Sequence, residues 1–543
     1  LRPIRIEHHQ GVITTMKFKT RTLVAALASA AAMGTINAHA GTEVWFNPLT
    51  NSAYVGVPNH PNELGSPWVA PAGITQTNLT SLSEIEADLD QSVIRAPGAE
   101  SSASMIDMVA FDRRGRYIFL PHETPWGAGV SRYDVRADEN VVLFQGDGNG
   151  RTGNWTNDYG AFDPALVTPQ QTVWAAEEWT GEGRVIEIVN PFAAPEKIRI
   201  RELQSIANVA HEGLRFGADN KTLYFVDEWN SGSIYKLVFK NPRNYTQGGQ
   251  TFVLVIDAFK GNAADNFNEP SNAAQPRVGA ATWVPITDAD GKPLTKADPF
   301  KNGPTNDPRT NPDTRGGRPA ADEVNGAPYG RPEDIEVGKL ANGHEVVYFA
   351  ATSERSVYSI EILPDDKATV RLFASDAKTP KNLGFAPTSG VMNSPDNLEL
   401  DALGNLYIIE DAPNSDVVGG DVWFAQDVDG DGVSESIYHF LSLGVNTAEA
   451  TGMEFNPRRP TRFVMAIQHP KSTDLLAVPG GFGDALWEFN IAGVVPPPCE
   501  LETDIDPVTG EVVVEPVQDE SSRVCSDDRD SKFVRMLRRA NRQ

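Results

Sequence analysis

The stretch Leu398-Glu-Leu-Asp-Ala-Leu-Gly-Asn-Leu-Tyr-Ile-Ile409 decides the fold of this chain. Apolar residues alternate with polar ones before a Gly-Asn turn, and the run after the turn is rich in β-branched and aromatic residues. This is the pattern of two short antiparallel strands joined by a tight turn. The stretch therefore predicts a β-hairpin.

The same hairpin pattern recurs along the chain. Four further copies occupy residues 108–120, 213–226, 335–349 and 453–465, and a less regular sixth copy surrounds residues 172–188. In the C-terminal half the copies are about 55–65 residues apart, which suits units of four short strands with their loops. Six such units predict an all-β chain folded as a six-bladed β-propeller, which leaves few exposed strand edges. A large β-sandwich is the alternative.

An Asn-, Pro- and Asp-rich segment, residues 261–330, separates two of the copies. Because the hairpin pattern resumes after it, we interpret this segment as a long insertion loop of the propeller and not as a linker between domains. We place the propeller at residues 41–495. The 46 Gly and 39 Pro residues of the 543-residue chain agree with many short elements, and no heptad pattern indicates a coiled coil.

The two ends of the chain have compositions of their own. Met16 is followed by basic residues, an apolar run and Ala38-His-Ala40. Residues 1–40 are therefore predicted to be an upstream segment plus a secretory signal peptide, which places the mature protein in the periplasm or outside the cell. Residues 496–543 are predicted to be a mobile tail. The two cysteines of the chain, Cys499 and Cys525, either form a disulfide there or remain free thiols.

The net charge and the hydrophobic pattern limit the kinds of partner that we expect for this protein. With 73 acidic and 47 basic residues the formal net charge is −26, which repels phosphate backbones, so we expect no nucleic-acid partner. The apolar run of the signal peptide is too short for a transmembrane helix, so we expect no membrane-spanning segment in the mature chain. We expect a monomer.

Polar doublets flank the hairpins at consistent positions, either before the first strand or after the second. These two positions lie at the same edge of an antiparallel hairpin, so the doublets should converge on one face of the propeller. About eight carboxylates in one place would repel one another, and bound cations resolve that repulsion. An oxygen-rich cluster suits Ca²⁺ or another hard ion. The groups are His122-Glu123, Glu177-Glu178, His211-Glu212, Asp227-Glu228, Glu333-Asp334, Asp396-Asn397, Glu410-Asp411 and Glu449.

A separate acidic pattern is Asp427-Val-Asp429-Gly-Asp431-Gly-Val-Ser-Glu435. Alternate aspartates around glycines place carboxylates on one side of a tight loop, as in calcium-binding loops. We predict that Asp427, Asp429 and Asp431 hold a structural Ca²⁺ outside the catalytic centre. A solvated acidic turn is the alternative, because position twelve of the loop is Tyr438 and not Glu.

Several motifs in a fixed order resemble those of the PhoX-type secreted alkaline phosphatases. They are Glu177-Glu-Trp179, His211-Glu-Gly213, Arg331-Pro-Glu333, Ser394-Pro-Asp-Asn-Leu398, Glu449-Ala-Thr-Gly452 and Gln468-His-Pro470. The resemblance implies a six-bladed propeller with Ca²⁺ and Fe³⁺ bound in its axial mouth. It also implies hydrolysis of small phosphorylated substrates, the phosphomonoesters, outside the cytoplasm.

The resemblance also implies roles for individual residues. Arg331 would clamp the phosphate oxygens with two parallel hydrogen bonds. Glu178 and Arg331 would carry catalysis, and Asn397 would contact the substrate. The implied metal ligands are Glu123, Glu178, Glu212, Glu333, Asp396 and Asp411.

One position departs from this family. The phosphatases that the chain resembles carry an iron-binding Cys just before the paired glutamates, where this chain has Ala176. A methyl group cannot replace a thiolate as a ligand, so Ca²⁺ is expected and Fe³⁺ is left open. The sequence thus predicts a metal-dependent phosphoester hydrolase. The alternatives are a calcium-stabilised, non-catalytic binding propeller and a lactonase-like hydrolase.

Overall fold

Short antiparallel strands make up nearly all of the regular structure. The structure is a computed structural model, and it describes residues 44–55, 65–89, 106–301, 315–445, 447–470, 482–494, 501–505 and 512–516. The signal peptide predicted within residues 1–40, both cysteines and most of the tail predicted at 496–543 lie outside the described residues.

The first part of the chain forms two strands and a helix, and two four-stranded sheets follow them. The first elements are β1 (Trp68–Val69), β2 (Thr75–Ser81) and the helix α1 (Leu82–Leu89). The first sheet contains β3 (Ala110–Phe111), β4 (Tyr117–Pro121), β5 (Gly129–Asp134) and β6 (Glu139–Gln145). The second contains β7 (Phe162–Val167), β8 (Val173–Glu177), β9 (Val185–Ile188) and β10 (Ile200–Glu202).

A nine-stranded sheet follows. Its first strands are β11 (Leu214–Phe216), β12 (Thr222–Val226), β13 (Ile234–Phe239), β14 (Gly249–Ile256) and β15 (Gly279–Pro285). Its remaining strands are β16 (Pro332–Lys339), β17 (Glu345–Ala351), β18 (Ser356–Ile362) and β19 (Lys367–Ser375). The order is β11-β12-β13-β14-β15-β19-β18-β17-β16, so β15 joins two four-stranded meanders into one sheet.

Two sheets near the C-terminus each take in a strand from the N-terminus. Strand β1 pairs with the last strand of the sheet formed by β20 (Pro395–Leu400), β21 (Leu406–Glu410), β22 (Asp421–Gln426) and β23 (Ser436–Leu443). Strand β2 pairs with the last strand of the sheet formed by β24 (Glu449–Phe455), β25 (Arg462–Gln468) and β26 (Ala485–Asn490). A separate hairpin consists of β27 (Leu501–Ile505) and β28 (Val512–Pro516).

The hairpin predicted at residues 398–409 is confirmed as β20 and β21. Leu398 lies opposite Ile408, and Leu400 lies opposite Leu406. In the turn between them Gly404 has φ +87°, a conformation that residues with a Cβ rarely adopt. Asp401 closes the same turn, because its Oδ1 accepts hydrogen bonds from backbone N–H groups at 2.8 and 3.0 Å.

The sheets are arranged around a common axis. Their first strands contact one another in chain order, β3 with β7, β7 with β11, β11 with β16, β16 with β20 and β20 with β24, and β24 returns to β3. Hydrophobic cores fill the space between neighbouring sheets. For example, Trp174 of β8 packs against Phe216 of β11 with ring centroids 5.3 Å apart. The fold is therefore all-β and propeller-like, as the sequence predicts.

The segment predicted to be an insertion loop contains regular structure. Residues 261–330 include β15 and the helix α2 (Gly317–Glu323), while residues 302–314 lie outside the described part. Strand β15 forms because Ala281 and Trp283 alternate with more exposed neighbours and are each 1% exposed. The Asn-, Pro- and Asp-rich composition of the whole segment conceals this short alternation.

Within the described residues, no helix is both long and apolar enough to cross a membrane.

Candidate metal centre

The first strand of each sheet in the ring begins beside an acidic residue. These residues are Asp107, Asp163, Glu212, Glu333, Asp396 and Glu449. The first four are buried, and the last two are half-buried. Because the six strands contact one another around the axis, their carboxylates meet at one end of it. Burial raises the pKa values of four of them, Asp163, Glu212, Asp396 and Glu449, and other carboxylates of the set raise these pKa values further.

A second set of carboxylates, Glu123, Glu178, Glu228 and Asp411, follows the second strands of four sheets. Most members of the two sets form three overlapping groups, within each of which the oxygen atoms lie within 4.8 Å of one another. The groups are Asp107–Glu123–Asp163, Asp163–Glu178–Glu212 and Glu212–Glu228–Glu333. They make one continuous arc, because each shares a member with the next. We call the arc, with the adjacent Asp396, Asp411 and Glu449, the mouth.

The electrostatics of the mouth are those of a site that lacks positive charge. Burial raises the pKa of Asp163 well above its usual range, and Asp107 and Glu178 raise it further. Burial also raises the pKa of Glu333 to about 7, although Arg331 opposes the rise. Asp163 Oδ1 and both carboxylate oxygens of Glu333 accept no hydrogen bond from the described residues. Buried carboxylates in this state are stabilised by cations.

The acidic doublets divide their members between two roles. Glu177 accepts two hydrogen bonds from the buried guanidinium of Arg184, at 2.9 and 2.6 Å. Asp227 accepts two from the buried guanidinium of Arg318, both at 2.6 Å. The second members of these two doublets, Glu178 and Glu228, lie in the arc instead. Adjacent residues at a strand end point to opposite sides, so one carboxylate anchors the loop and the next one faces the mouth.

Three polar side chains tie the ends of the ring together at the mouth. Gln468 Nε2 donates hydrogen bonds to Asp107 Oδ2 at 2.7 Å and to Glu123 Oε2 at 2.6 Å. Thr451 Oγ1 lies 2.6 Å from Asn397 Oδ1 and also contacts Asp107. Asn397 Oδ1 further accepts the backbone N–H of residue 452 at 2.7 Å. The Asn397 side chain, predicted to contact the substrate, is thus held by the protein within the mouth.

Arg331 reaches into the mouth between two sheets. Its Nε donates to Glu228 Oε1 at 2.6 Å, and its Nη2 lies 3.1 Å from Glu333 Oε1. Its Nη1 lies 4.0 Å from Asp411 Oδ2, and 28% of the side chain is exposed. The residue has φ +53°, which is uncommon for a residue with a Cβ. The end of the guanidinium away from Glu228 is the part that can meet an anion.

Ala176 contributes no donor atom to the mouth. It is 0% exposed in β8 and packs in a hydrophobic cluster with Val185 and Leu214. It lies two residues before Glu178, so the two share one side of the strand end. All ligand-capable groups of the arc in the described residues are carboxylates. This donor set fits hard cations such as Ca²⁺ and offers no thiolate for iron.

The second predicted calcium site, residues 427–435, has a different construction, and we call it the Asp427 loop. Asp427 Oδ1 accepts the N–H groups of residues 430 and 431, and Oδ2 accepts that of residue 432. Asp427, Asp429 and Glu435 bring oxygen atoms within 4.8 Å of one another. Asp431, which was predicted as a third ligand, is not part of this group, and its Oδ1 accepts the N–H of residue 433 at 2.8 Å.

Sequence reasoning missed three members of the arc or their supports. Asp107 and Asp163 occupy the same position before or at a first strand as Glu212, so the register of the hairpins was the signal that identifies them. Gln468 lies in one of the motifs, but the local sequence does not predict its contacts with Asp107 and Glu123. The histidines of the doublets are not members of the arc. Burial lowers the pKa of His211 to about 3, so it is neutral at physiological pH.

The fold and the site define an all-β, propeller-like protein with its acidic groups and one arginine gathered at one end of the ring axis. A comparison with protein families gives the particular family. The model of the family described as alkaline phosphatase PhoX matches residues 122–471. Because this range is more than half of the chain, the chain belongs to the PhoX alkaline phosphatase family, a family of phosphoester hydrolases, and the prediction made from the motifs is confirmed.

Solved structures agree with this assignment at the level of the fold. Pseudomonas fluorescens PhoX, in complex with the transition state analogue vanadate, is 14% identical, with a TM-score of 0.55. The match covers 83% of this chain and 99% of that one. A gluconolactonase from Xanthomonas campestris is 12% identical, covers 82% and 97% of the two chains and has a TM-score of 0.37, too low to bear on function. No curated protein matches the chain.

Proposed function

We propose that this phosphoester hydrolase cleaves phosphomonoesters with Ca²⁺ held in the mouth. The observation that carries the proposal is the continuous arc of buried carboxylates, several of whose oxygens accept no hydrogen bond, beside an arginine. An acidic site repels a phosphate unless cations reverse its field. Pseudomonas fluorescens PhoX, which shares the fold, binds the transition state analogue vanadate, and this also supports phosphoryl chemistry.

The ligands we assign are carboxylates at strand ends. The three groups of the arc provide Glu123, Glu178, Glu212 and Glu333 together with Asp107, Asp163 and Glu228, and Asp396 and Asp411 lie beside them. When bound there, Ca²⁺ neutralises phosphoryl oxygens and lowers the pKa of a coordinated water. The protein keeps the carboxylates fixed through anchors such as the Arg184–Glu177 pair and the Gln468 bridge.

Arg331 contacts the phosphate in this proposal. Glu228 occupies its Nε, while Nη2 and Nη1 lie 3.1 and 4.0 Å from Glu333 and Asp411. Cations bound by these two carboxylates would free the Nη groups to donate to the oxygens of the substrate. A planar guanidinium can donate two parallel hydrogen bonds to such a group and stabilise the charge that develops in the transition state. Glu178 lies in the middle group of the arc and would serve as a ligand of the metal. Asn397 supports Asp396, to which its Nδ2 donates at 3.2 Å, and faces the substrate from that side.

We propose a calcium site without thiolate-bound iron. Ala176→Cys tests this directly, because it places a thiol two residues before Glu178. Recruitment of iron by the variant, measured by metal analysis, would show that the position belongs to the metal site. A variant that folds normally and binds no iron would place Ala176 outside it.

The finer architecture follows from the same reasoning. The ring of six first strands supports six blades. Strand β15 is an additional strand that lies between two of these blades. We place the propeller at residues 41–495, the insertion at 261–330 and a tail at 496–543. The family and the signal peptide predicted within residues 1–40 support a location in the periplasm or outside the cell. We propose that the protein acts there as a monomer. We also keep the Asp427 loop as a structural calcium site.

The experiment is a metal analysis of the purified protein combined with assays of p-nitrophenyl phosphate with and without chelator. We expect bound Ca²⁺ and turnover that EDTA removes and Ca²⁺ restores. Bound Ca²⁺ without turnover of any phosphomonoester would favour a non-catalytic binding propeller. Turnover of lactones in place of phosphate esters would favour a lactonase-like hydrolase. Either outcome would refute the proposal.

A further inference from the structure

The insertion places three arginines behind three loops of the mouth. Arg277 pairs with Glu354, which follows β17. Arg315 donates to the backbone carbonyl oxygens of residues 178, 180 and 209. Arg318, in α2, pairs with Asp227, which follows β12. Arg315 and Arg318 are 0% and 2% exposed. These contacts join the insertion to strand ends of two sheets, the β7–β10 sheet and the nine-stranded sheet.

Arg318 makes the best-defined of these contacts. Its Nε and Nη2 each donate to a different oxygen of Asp227 at 2.6 Å, and both side chains are buried. Its guanidinium also lies 5.0 Å from the ring centroid of Trp229. Asp227 Oδ1 accepts the backbone N–H of Ala210 at 3.1 Å as well. The turn formed by residues 227–229 is therefore clamped from two sides.

This turn holds Arg331. The backbone N–H of Arg331 donates to the carbonyl oxygen of Trp229 at 3.1 Å, and its Nε donates to Glu228 Oε1 at 2.6 Å. Both contacts come from the three-residue turn that Arg318 clamps. Arg331 also has φ +53°, a conformation that persists only where the surroundings fix it. The orientation of the guanidinium thus depends on the position of the turn.

We propose that Arg318 is a positioning residue for Arg331, and that the insertion is thereby part of the phosphate-binding site. This rests on the proposed function, in which Arg331 contacts the phosphate. The insertion has two separate effects in this view. Strand β15 extends the sheet, and α2 sets the affinity of the mouth for a phosphate group through one buried ion pair.

The chemistry of buried ion pairs separates positioning from stability. Replacing such a pair by apolar residues of similar volume often leaves stability unchanged or increases it, whereas removing one partner leaves a buried charge and destabilises the protein. The double variant Arg318→Met with Asp227→Leu therefore removes the clamp without leaving an unpaired charge. Arg318→Lys retains the charge and loses the two parallel hydrogen bonds.

The test compares these variants with the wild-type protein loaded with its metal. The readouts are the dissociation constant of inorganic phosphate by calorimetry, kcat and KM for p-nitrophenyl phosphate, the melting temperature and the metal content. We expect both variants to bind phosphate about tenfold more weakly and to lose kcat/KM by a similar factor, with metal content unchanged and the melting temperature within a few degrees. Arg462→Lys, in the Arg462–Glu488 pair of another sheet, is the matched control and should bind phosphate normally.

The outcomes are distinguishable from a failure of the proposed function. Arg331→Lys is measured in the same assays. If it weakens phosphate binding and the two Arg318 variants do not, Arg318 is purely structural and the inference is wrong. If Arg331→Lys itself binds phosphate normally, the assignment of Arg331 to the phosphate is wrong. A double variant that loses phosphate affinity only in proportion to lost metal would also overturn the positioning role.

Discussion

The mouth and the Asp427 loop are both acidic, but the protein stabilises their charges in opposite ways. In the loop, both oxygens of Asp427 accept backbone N–H groups, and Asp429 and Glu435 are exposed. In the mouth, the carboxylates are mostly buried beside one another, and Glu333 accepts no hydrogen bond from the described residues. Backbone N–H groups and exposure to solvent offset the negative charge of the loop, although burial raises the pKa of Asp427 to about 6. The mouth holds many more carboxylates than the single arginine beside them can balance, so we expect it to need bound cations.

Hairpin register and burial thus single out the mouth as the candidate site that needs a cation, whereas a local acidic pattern alone does not. An exposed carboxylate loses little when no cation is bound, because water solvates it. A buried carboxylate among like charges loses several kcal/mol of solvation that only a cation returns. Metal dependence of activity and stability should therefore arise at the mouth and only weakly at the loop.

The largest effect should follow removal of one charge from the mouth. We expect Glu178→Gln and Glu333→Gln each to lower kcat/KM for p-nitrophenyl phosphate by more than about 10³-fold, because an amide carries no charge to hold a cation beside the phosphate. The matched control is Glu361→Gln, since Glu361 pairs with Arg371 and His344 outside the mouth. The control should retain activity within about twofold. Unchanged activity of the two mouth variants would refute the assignment.

Chelation should have the next largest effect. Loss of a ligand present at about 1,000 times its dissociation constant removes roughly 4 kcal/mol of stability. For a chain of this size that corresponds to a fall in melting temperature of about 4 °C for each ion lost, measured by calorimetry with EDTA. Readdition of Ca²⁺ should restore the original value. A melting temperature that does not change after the metal has been shown to be removed would contradict the cation requirement of the mouth.

Arg331→Lys should separate phosphate contact from metal binding. We expect the variant to keep its metal content and to lose about 2.7–4 kcal/mol of transition-state stabilisation, roughly 10²–10³-fold in kcat, because an ammonium cannot reproduce two parallel hydrogen bonds. Metal analysis and steady-state kinetics measure the two quantities independently. Loss of metal together with activity would mean that Arg331 organises the carboxylates and does not contact the phosphate.

The smallest effect should come from the Asp427 loop. Asp429→Asn should lower the melting temperature in the presence of Ca²⁺ by only about 1 °C and leave kcat/KM within about twofold, because Asp429 is exposed and a surface substitution costs little. Thermal melts with and without Ca²⁺ measure this difference. Identical melts for variant and wild type in both conditions would make the loop a solvated turn. A large loss of activity would refute its separation from the mouth.

Much of the fold and part of the mouth could be predicted from the sequence. The alternation around residues 398–409 fixes which side chains face inward, and the structure pairs Leu398 with Ile408 accordingly. Hairpin register also brings Glu178, Glu212 and Glu333 to one end of the ring, as expected. Local pattern is sufficient here because neighbouring strands are joined by short turns.

The rest depends on contacts between distant parts of the chain. Arg318 and Asp227 are 91 residues apart, and Gln468 and Asp107 are 361 residues apart. No local periodicity encodes such pairs. Strand β15 was also missed, because its two buried residues, Ala281 and Trp283, lie in a segment of turn-forming composition. The sequence therefore identified the carboxylates of the mouth better than the side chains that hold them.

The pairing of β2 with β26 has a consequence for how the chain folds. Asn78 and Leu486, which meet at this pairing, are 408 residues apart. Closing a loop of that length costs about 5 kcal/mol of chain entropy before any contact in the sheet compensates for it. The last sheet can form only after nearly the entire chain has emerged from the ribosome, so β2 stays without its partner until then. Completion of this sheet is therefore a slow, late step, and the exposed edge of β26 is the place where an incompletely folded chain can join another.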